Sequence, residues 1–209
     1  MNKIIRFATG ALLFGSIWGF SECIVGDYLR SVNLPAGAIL TGIFAVGLMG
    51  ASRILYRQPG MQLGMGAIAA LMRAFNPFGA CILCASIAIF AEAVVFELIW
   101  LRLSNDIMRK PHISASAGIT TAYTCFVIGC VVTQVLTPLV ATSGFYIENL
   151  LAFLPQILSK GLIPALLGGV VLPVASILTK VDISRIRNSL YYPTTLAISA
   201  LLWLAVVLA

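Results

Sequence analysis

Residues 7–29 read FATGALLFGSIWGFSECIVGDYL. This is 23 residues with no basic side chain and with its acidic groups only at Glu22 and Asp27, long enough for a helix to cross a hydrocarbon layer that needs about 20 apolar residues. Lys3 and Arg6 precede it as in a signal peptide. The apolar run, however, outlasts a signal's hydrophobic core and has no small-x-small cleavage site in the right place. Phe20-Ser21-Glu22-Cys23 has the outline of a lipoprotein box, but Glu22 directly before the cysteine spoils it. The stretch is therefore expected to stay as a first transmembrane span.

The rest of the chain repeats this pattern. Its 209 residues are 60% hydrophobic and 10% charged, whereas about a quarter of a soluble domain is charged. Cutting the apolar runs at charges, prolines and glycine clusters gives spans at about 7–29, 36–55, 61–75 (short), 78–101, 113–141 with a break near Pro138, 162–178 and 193–209. Residues 143–159 carry Glu148, Asn149, Pro155 and Gln156 among apolar side chains, which fits an interfacial or re-entrant segment better than a full crossing. The expectation is an all-α polytopic transmembrane helix bundle forming a single integral membrane domain, 1–209, with no separate soluble part.

The net charge of +6 is then a question of sides. With the N-terminus inside, Lys3, Arg6, Arg53, Arg57, Arg102, Arg109, Lys110, Lys180, Arg185 and Arg187 fall on the inner side. Only Arg30, Arg73 and Lys160 fall outside. That asymmetry follows the positive-inside rule for seven spans in a cell membrane, N-terminus cytoplasmic and C-terminus outside. It leaves no basic patch for nucleic acid.

Ionisable groups inside spans are costly and are functional candidates by default. Glu22 lies about 24 Å from the inner end of its span at about 1.5 Å per residue. Arg73 closes the third span, next to Asn76 and Pro77, and Gln134 and Asp27 stand at similar depth. Two readings fit: an outward pocket in which Glu22 and Arg73 recognise a charged ligand, or a structural ion pair with interfacial groups that snorkel to water. Trp18, one turn from Glu22 on the same face, supplies either an aromatic wall or ordinary packing. Glu92, near mid-membrane, lines the pocket floor or bonds another helix, and Glu97 reaches Arg102 or the cytoplasmic interface. The two are about 140° apart around the helix, so they are not a catalytic pair.

Enzymatic chemistry lacks its parts. The sequence has no Ser-His-Asp set, no His-Glu-x-x-His and no phosphate-cradling glycine loop. Cys81-Ile82-Leu83-Cys84 is a single CxxC pair, and His112, the one histidine, lies in a distant loop, so no metal, haem or other cofactor is expected. All five cysteines fall in apolar runs and read as small packed hydrophobes rather than disulfide partners. Ala11, Gly15 and Gly19 recur every four residues and make a smooth helix face. Such a face serves either packing within the bundle or docking to a partner subunit.

These features together resemble the substrate-binding S component of an energy-coupling-factor transporter. The resemblance lies in the Ala11-xxx-Gly15-xxx-Gly19 pattern, the short third span, the polar segment Arg73-Ala-Phe-Asn76-Pro77 and the Glu92-bearing fourth span. It implies a six-helix core, about residues 4–180, with the seventh span at about 193–209 as an addition. It also implies an outward ligand pocket, for which the candidates are Trp18, Glu22, Arg73, Asn76, Glu92 and Gln134. Ala11, Gly15 and Gly19 would dock to a transmembrane coupling protein driven by two cytoplasmic ATPases. The function so implied is capture of a small polar micronutrient or vitamin by a subunit in the lipid bilayer that itself hydrolyses nothing. The alternative is a structural or assembly subunit of a larger membrane complex. The signatures of riboflavin, thiamine or biotin recognition are lacking, and Met1-Asn2 offers no histidine for a cobalt or nickel type.

Overall fold

The computed structural model describes residues 3–76, 82–101, 103, 110–140, 147–183 and 186–208. Among them the chain is all helix and turn. The elements are α1 (Lys3–Phe20), a π-helical turn (Ser21–Val25) and α2 (Gly26–Ser31); α3 (Ala36–Ile39), a second π turn (Leu40–Ala45) and α4 (Val46–Tyr56); then α5 (Met61–Phe75), α6 (Ile82–Trp100), α7 (Pro111–Val140), α8 (Ile147–Lys160), α9 (Leu162–Ala175) with a 3₁₀ turn (Ser176–Lys180), and α10 (Asn188–Leu208). Among the described residues, six helical runs are long and apolar enough to cross a membrane: Ile4–Ser31, Ala36–Tyr56, Ile82–Trp100, Pro111–Leu136, Leu150–Lys180 and Asn188–Leu208. Met61–Phe75 is the shorter seventh. The protein is thus an all-α polytopic bundle and a multi-pass membrane protein.

Close approaches give the direction of each run. Gly15 meets Met65 and Ile68, and Gly19 meets Ala69 and Met72, so α1 and α5 run parallel. Trp100 lies by Thr121 and Glu92 by Cys125, so α6 and α7 are antiparallel. Gly42 meets Pro164 and Gly50 meets Leu172, so the second run and α9 are parallel. Tyr191 lies by Arg6, and Trp203 by Ser16, so α10 runs alongside α1 in the same direction. The seven runs therefore alternate, and the start of α1 and the end of α10 lie at opposite ends of the bundle. These are called the lower and upper ends below.

The core is built where side chains are small enough to let helices close. A Cβ at Gly15 would stand 2.7 Å from the Met65 carbonyl oxygen, and one at Gly66 would overlap the Ala93 methyl. Around these contacts pack Trp18, Val46, Met49, Met61, Met65, Phe96 and Trp100, the last two rings stacked with centroids 5.2 Å apart. The outer faces carry Leu166, Val170, Leu201 and Val207, each more than half exposed. An apolar exterior of this extent suits a lipid solvent rather than water.

Three sequence boundaries shift. The helix of α7 continues past Pro138 to Val140, so the expected break is absent; so near its end, a proline removes a single backbone bond. Helix α10 begins at Asn188, five residues before Pro193. Residues 147–159 of the expected interfacial segment are helical, and α8 meets α9 at Gly161, so that 150–180 is one candidate crossing. The seventh run packs in the bundle. Trp203 Nε1 donates to Ser16 Oγ at 3.2 Å, the Tyr56 and Tyr191 hydroxyls are 2.6 Å apart, and the Arg6 guanidinium sits 4.7 Å from the centre of the Tyr191 ring.

Candidate functional site

Two π turns shape the upper half of the bundle. Within the first run, the Gly26 amide donates to the Ser21 carbonyl, five residues back, while Ser21 Oγ donates to the Trp18 carbonyl at 2.7 Å. A hydroxyl that takes up a backbone acceptor competes with the ordinary ladder, and the wider turn rotates Glu22 and Cys23 relative to the residues below. In the second run the Val46 amide likewise donates to the Thr41 carbonyl. Single π turns inside α-helices recur at functional sites, and here both pack against each other beside the same polar groups.

Those groups come from five runs. Trp18 Nε1 donates to Glu22 Oε1 at 3.2 Å, joining the two residues one turn apart. Thr41 Oγ1 donates to Glu92 Oε1 at 2.8 Å, across from the second run to α6. Cys125 Sγ donates to the Glu92 carbonyl at 3.5 Å, and Gly129 clears space for the carboxyl, since a Cβ there would be 3.0 Å from Oε1. At the top of α5, the side chains of Arg73 and Asn76 lie against the Cys23 thiol. Glu22 is within electrostatic range of both Arg73 and Glu92.

Arg73 and Glu92 are buried, 4% and 8% exposed. Arg73 Nη1 and Glu92 Oε2 nevertheless have no hydrogen-bond partner among the described residues. Arg73 takes part in neither of the two salt bridges among the described residues, which are Arg30–Asp27 and Arg53–Glu97. The expected Glu22–Arg73 contact is therefore one of proximity and not of a closed pair.

Of the six residues expected to bind a ligand, Trp18, Glu22, Arg73, Asn76 and Glu92 gather here. Gln134 does not: it is half-buried, about 7.5 Å further along α7 than Gly129 and about 140° around it, and forms none of the bonds that join the others. Thr41, Cys23 and Cys125 belong to the cluster and were not singled out. Thr41 had a sequence signal, a hydroxyl between apolar residues of a span; the two cysteines had none beyond their burial.

The face of Ala11, Gly15 and Gly19 is covered by α5. Gly64 lies against the Ala11 methyl, and Gly19 would set a Cβ 2.9 Å from that of Met72. These residues pack the bundle and are not open to a coupling protein, a correction that follows from the parallel course of α1 and α5.

A second buried charge group lies at the lower end. Arg53 Nη1 donates to Glu97 Oε1 at 3.1 Å and to the Gln58 carbonyl at 3.2 Å, and Nη2 donates to the Trp100 carbonyl at 3.2 Å. The Gly60 amide donates to the same Glu97 oxygen at 2.9 Å. Glu97 therefore turns to Arg53 of α4, where the sequence reading looked to Arg102 or the interface. Position 102 lies outside the described residues.

Cys84 is disulfide-bonded, which corrects its reading as a packed thiol. Cys23, Cys125 and Cys130 are free. Among the described residues, no three His, Cys, Asp or Glu side chains gather in a way that could hold a metal ion.

No protein-family model, curated protein or solved structure matches the chain.

Proposed function

We propose that the protein is the substrate-capture subunit of a micronutrient importer and binds a small polar ligand in the upper cluster of Trp18, Glu22, Thr41, Arg73, Asn76 and Glu92. The observation that carries this reading is a pair of buried polar atoms, Arg73 Nη1 and Glu92 Oε2, that have no hydrogen-bond partner among the described residues and whose side chains each lie within electrostatic range of Glu22. A charged group buried without a partner is costly, and a ligand that supplies the missing partners recovers that cost. In an apolar surround such charge-assisted bonds give both affinity and orientation. The alternative, a structural subunit whose buried charges only fix helix register, fits the closed Arg53–Glu97 pair but leaves the upper cluster without a purpose.

In this reading the lower end, with Arg6, Arg53, Arg57, Lys110, Lys180 and Arg187, is cytoplasmic, and the cluster opens to the outside. Energy comes from partners, a transmembrane coupling protein and cytoplasmic ATPases, which dock on faces other than Ala11, Gly15 and Gly19. Gentle purification followed by mass spectrometry of the bound small molecule, with uptake measured for Glu22→Gln and Arg73→Ala, tests it. Loss of the bound molecule in both variants is the expected result; unchanged binding and uptake would remove the site.

A further inference from the structure

We infer that the ligand of the upper cluster is a small zwitterion, with a protonated amine set toward Glu92 and Glu22 and an acidic group set toward Arg73. This rests on the capture reading above and names the class of molecule captured.

The cluster contains two carboxyls and one guanidinium, with no ion pair closed between them. An anion alone would partner Arg73 Nη1 and leave Glu92 Oε2 bare; an amine alone would do the reverse. A molecule with both groups partners both atoms at once. The donors already present point the same way. Thr41 occupies Glu92 Oε1 and leaves Oε2 for an incoming N–H, while Trp18 occupies Glu22 Oε1. On the other side, Cys23 and Asn76 flank Arg73 without supplying an anion.

Depth sets the orientation. Gly66 packs on Ala93, beside Glu92, and Arg73 stands seven residues further up α5. At about 1.5 Å per residue this places the two backbone positions about 10 Å apart along the bundle. The side chains reach across part of that distance, so the ligand lies along the bundle axis, amine below and acid above.

The test uses full-length protein in nanodiscs of phosphatidylglycerol, which has no amine headgroup. Equilibrium binding is measured for glycine, 4-aminobutyrate and 6-aminohexanoate against the single-group analogues butyrate and butylamine. At least one zwitterion is expected to bind about tenfold or more tightly than either analogue, the scale of one charge-assisted bond. Arg73→Gln should reduce that zwitterion to the level of butylamine, and Glu92→Gln to the level of butyrate. Arg73→Lys, which keeps the charge, should retain the preference and so separate recognition from folding. Equal binding of butyrate or butylamine would overturn the zwitterion class while leaving capture intact, and binding by none of the five compounds would overturn the class as well. Full displacement of the zwitterion by phosphatidylethanolamine in the disc would assign the site to a lipid headgroup and overturn both this proposal and solute capture. A ligand found by mass spectrometry that lacks an amine would overturn the class alone.

Discussion

Arg53 and Arg73 are both buried guanidiniums at helix ends, one at the lower end of α4 and one at the upper end of α5, yet their surroundings are opposite. Arg53 is enclosed by a carboxylate and two backbone carbonyls, and Glu97 Oε1 also receives the Gly60 amide, although Glu97 Oε2, like Glu92 Oε2, has no hydrogen-bond partner among the described residues. Arg73 has the Glu22 carboxyl in its field and closes no salt bridge with it, and its Nη1 has no hydrogen-bond partner among the described residues. The difference separates a charge that holds helices together from one kept open. A buried charge in a membrane protein is informative only once its partners have been counted.

The largest way to break the comparison is to remove one member of the lower pair. Arg53→Ala leaves Glu97 buried without its cation, and a loss of about 3 to 5 kcal/mol in unfolding free energy is expected. Thermal unfolding in detergent measures it, and the double variant Arg53→Met with Glu97→Leu should recover most of the loss. Gly66→Ala comes next. The added methyl meets Ala93 where α5 and α6 touch, and overpacking of this kind costs about 1 to 3 kcal/mol. Because that contact lies next to Trp18 and Glu92, ligand binding should fall with it, whereas the lower pair stays closed.

Smaller changes sharpen the contrast. Thr41→Val removes a single hydroxyl donor from Glu92 and should cost about 1 kcal/mol, together with a change in ligand affinity that no lower-end variant shows. Arg73→Gln should alter unfolding free energy by about 1 kcal/mol or less, or even raise it, because an unsatisfied charge is removed. Its effect falls on binding. A large destabilisation by Arg73→Gln, equal to that of Arg53→Ala, would erase the distinction.

The crossings were legible from hydropathy alone, because a span of some 20 apolar residues leaves few ways to place it, and the short run at 61–75 came out at its stated bounds. Glu22, Arg73 and Glu92 could be brought near one another by counting rise per residue, since depth is a property of each helix taken singly. Rotation and neighbour order are not. Glu97 is read toward Arg102 or the cytoplasmic interface because nothing in one helix says which other helix it faces, and Arg53 counts there only as an inner-side charge, although it pairs with Glu97 inside the bundle. The same ignorance left the Ala11, Gly15 and Gly19 face open to a partner, when α5 occupies it. Gln134 is set apart from the other candidates only by helix counting, about 140° around α7 from Gly129. The π turns at Ser21 and Leu40 were invisible because a one-residue widening leaves no mark on composition.

The shared direction of α1 and α10 has a practical consequence for protein engineering. With the bundle in a membrane as proposed above, two copies joined through a short peptide would force the second to insert upside down, because α10 of the first ends at the upper end of the bundle and α1 of the second begins at the lower. A working tandem fusion therefore needs an added hydrophobic helix of about 20 residues as its connector, and reporter tags on the two ends of a single copy should read out from different compartments.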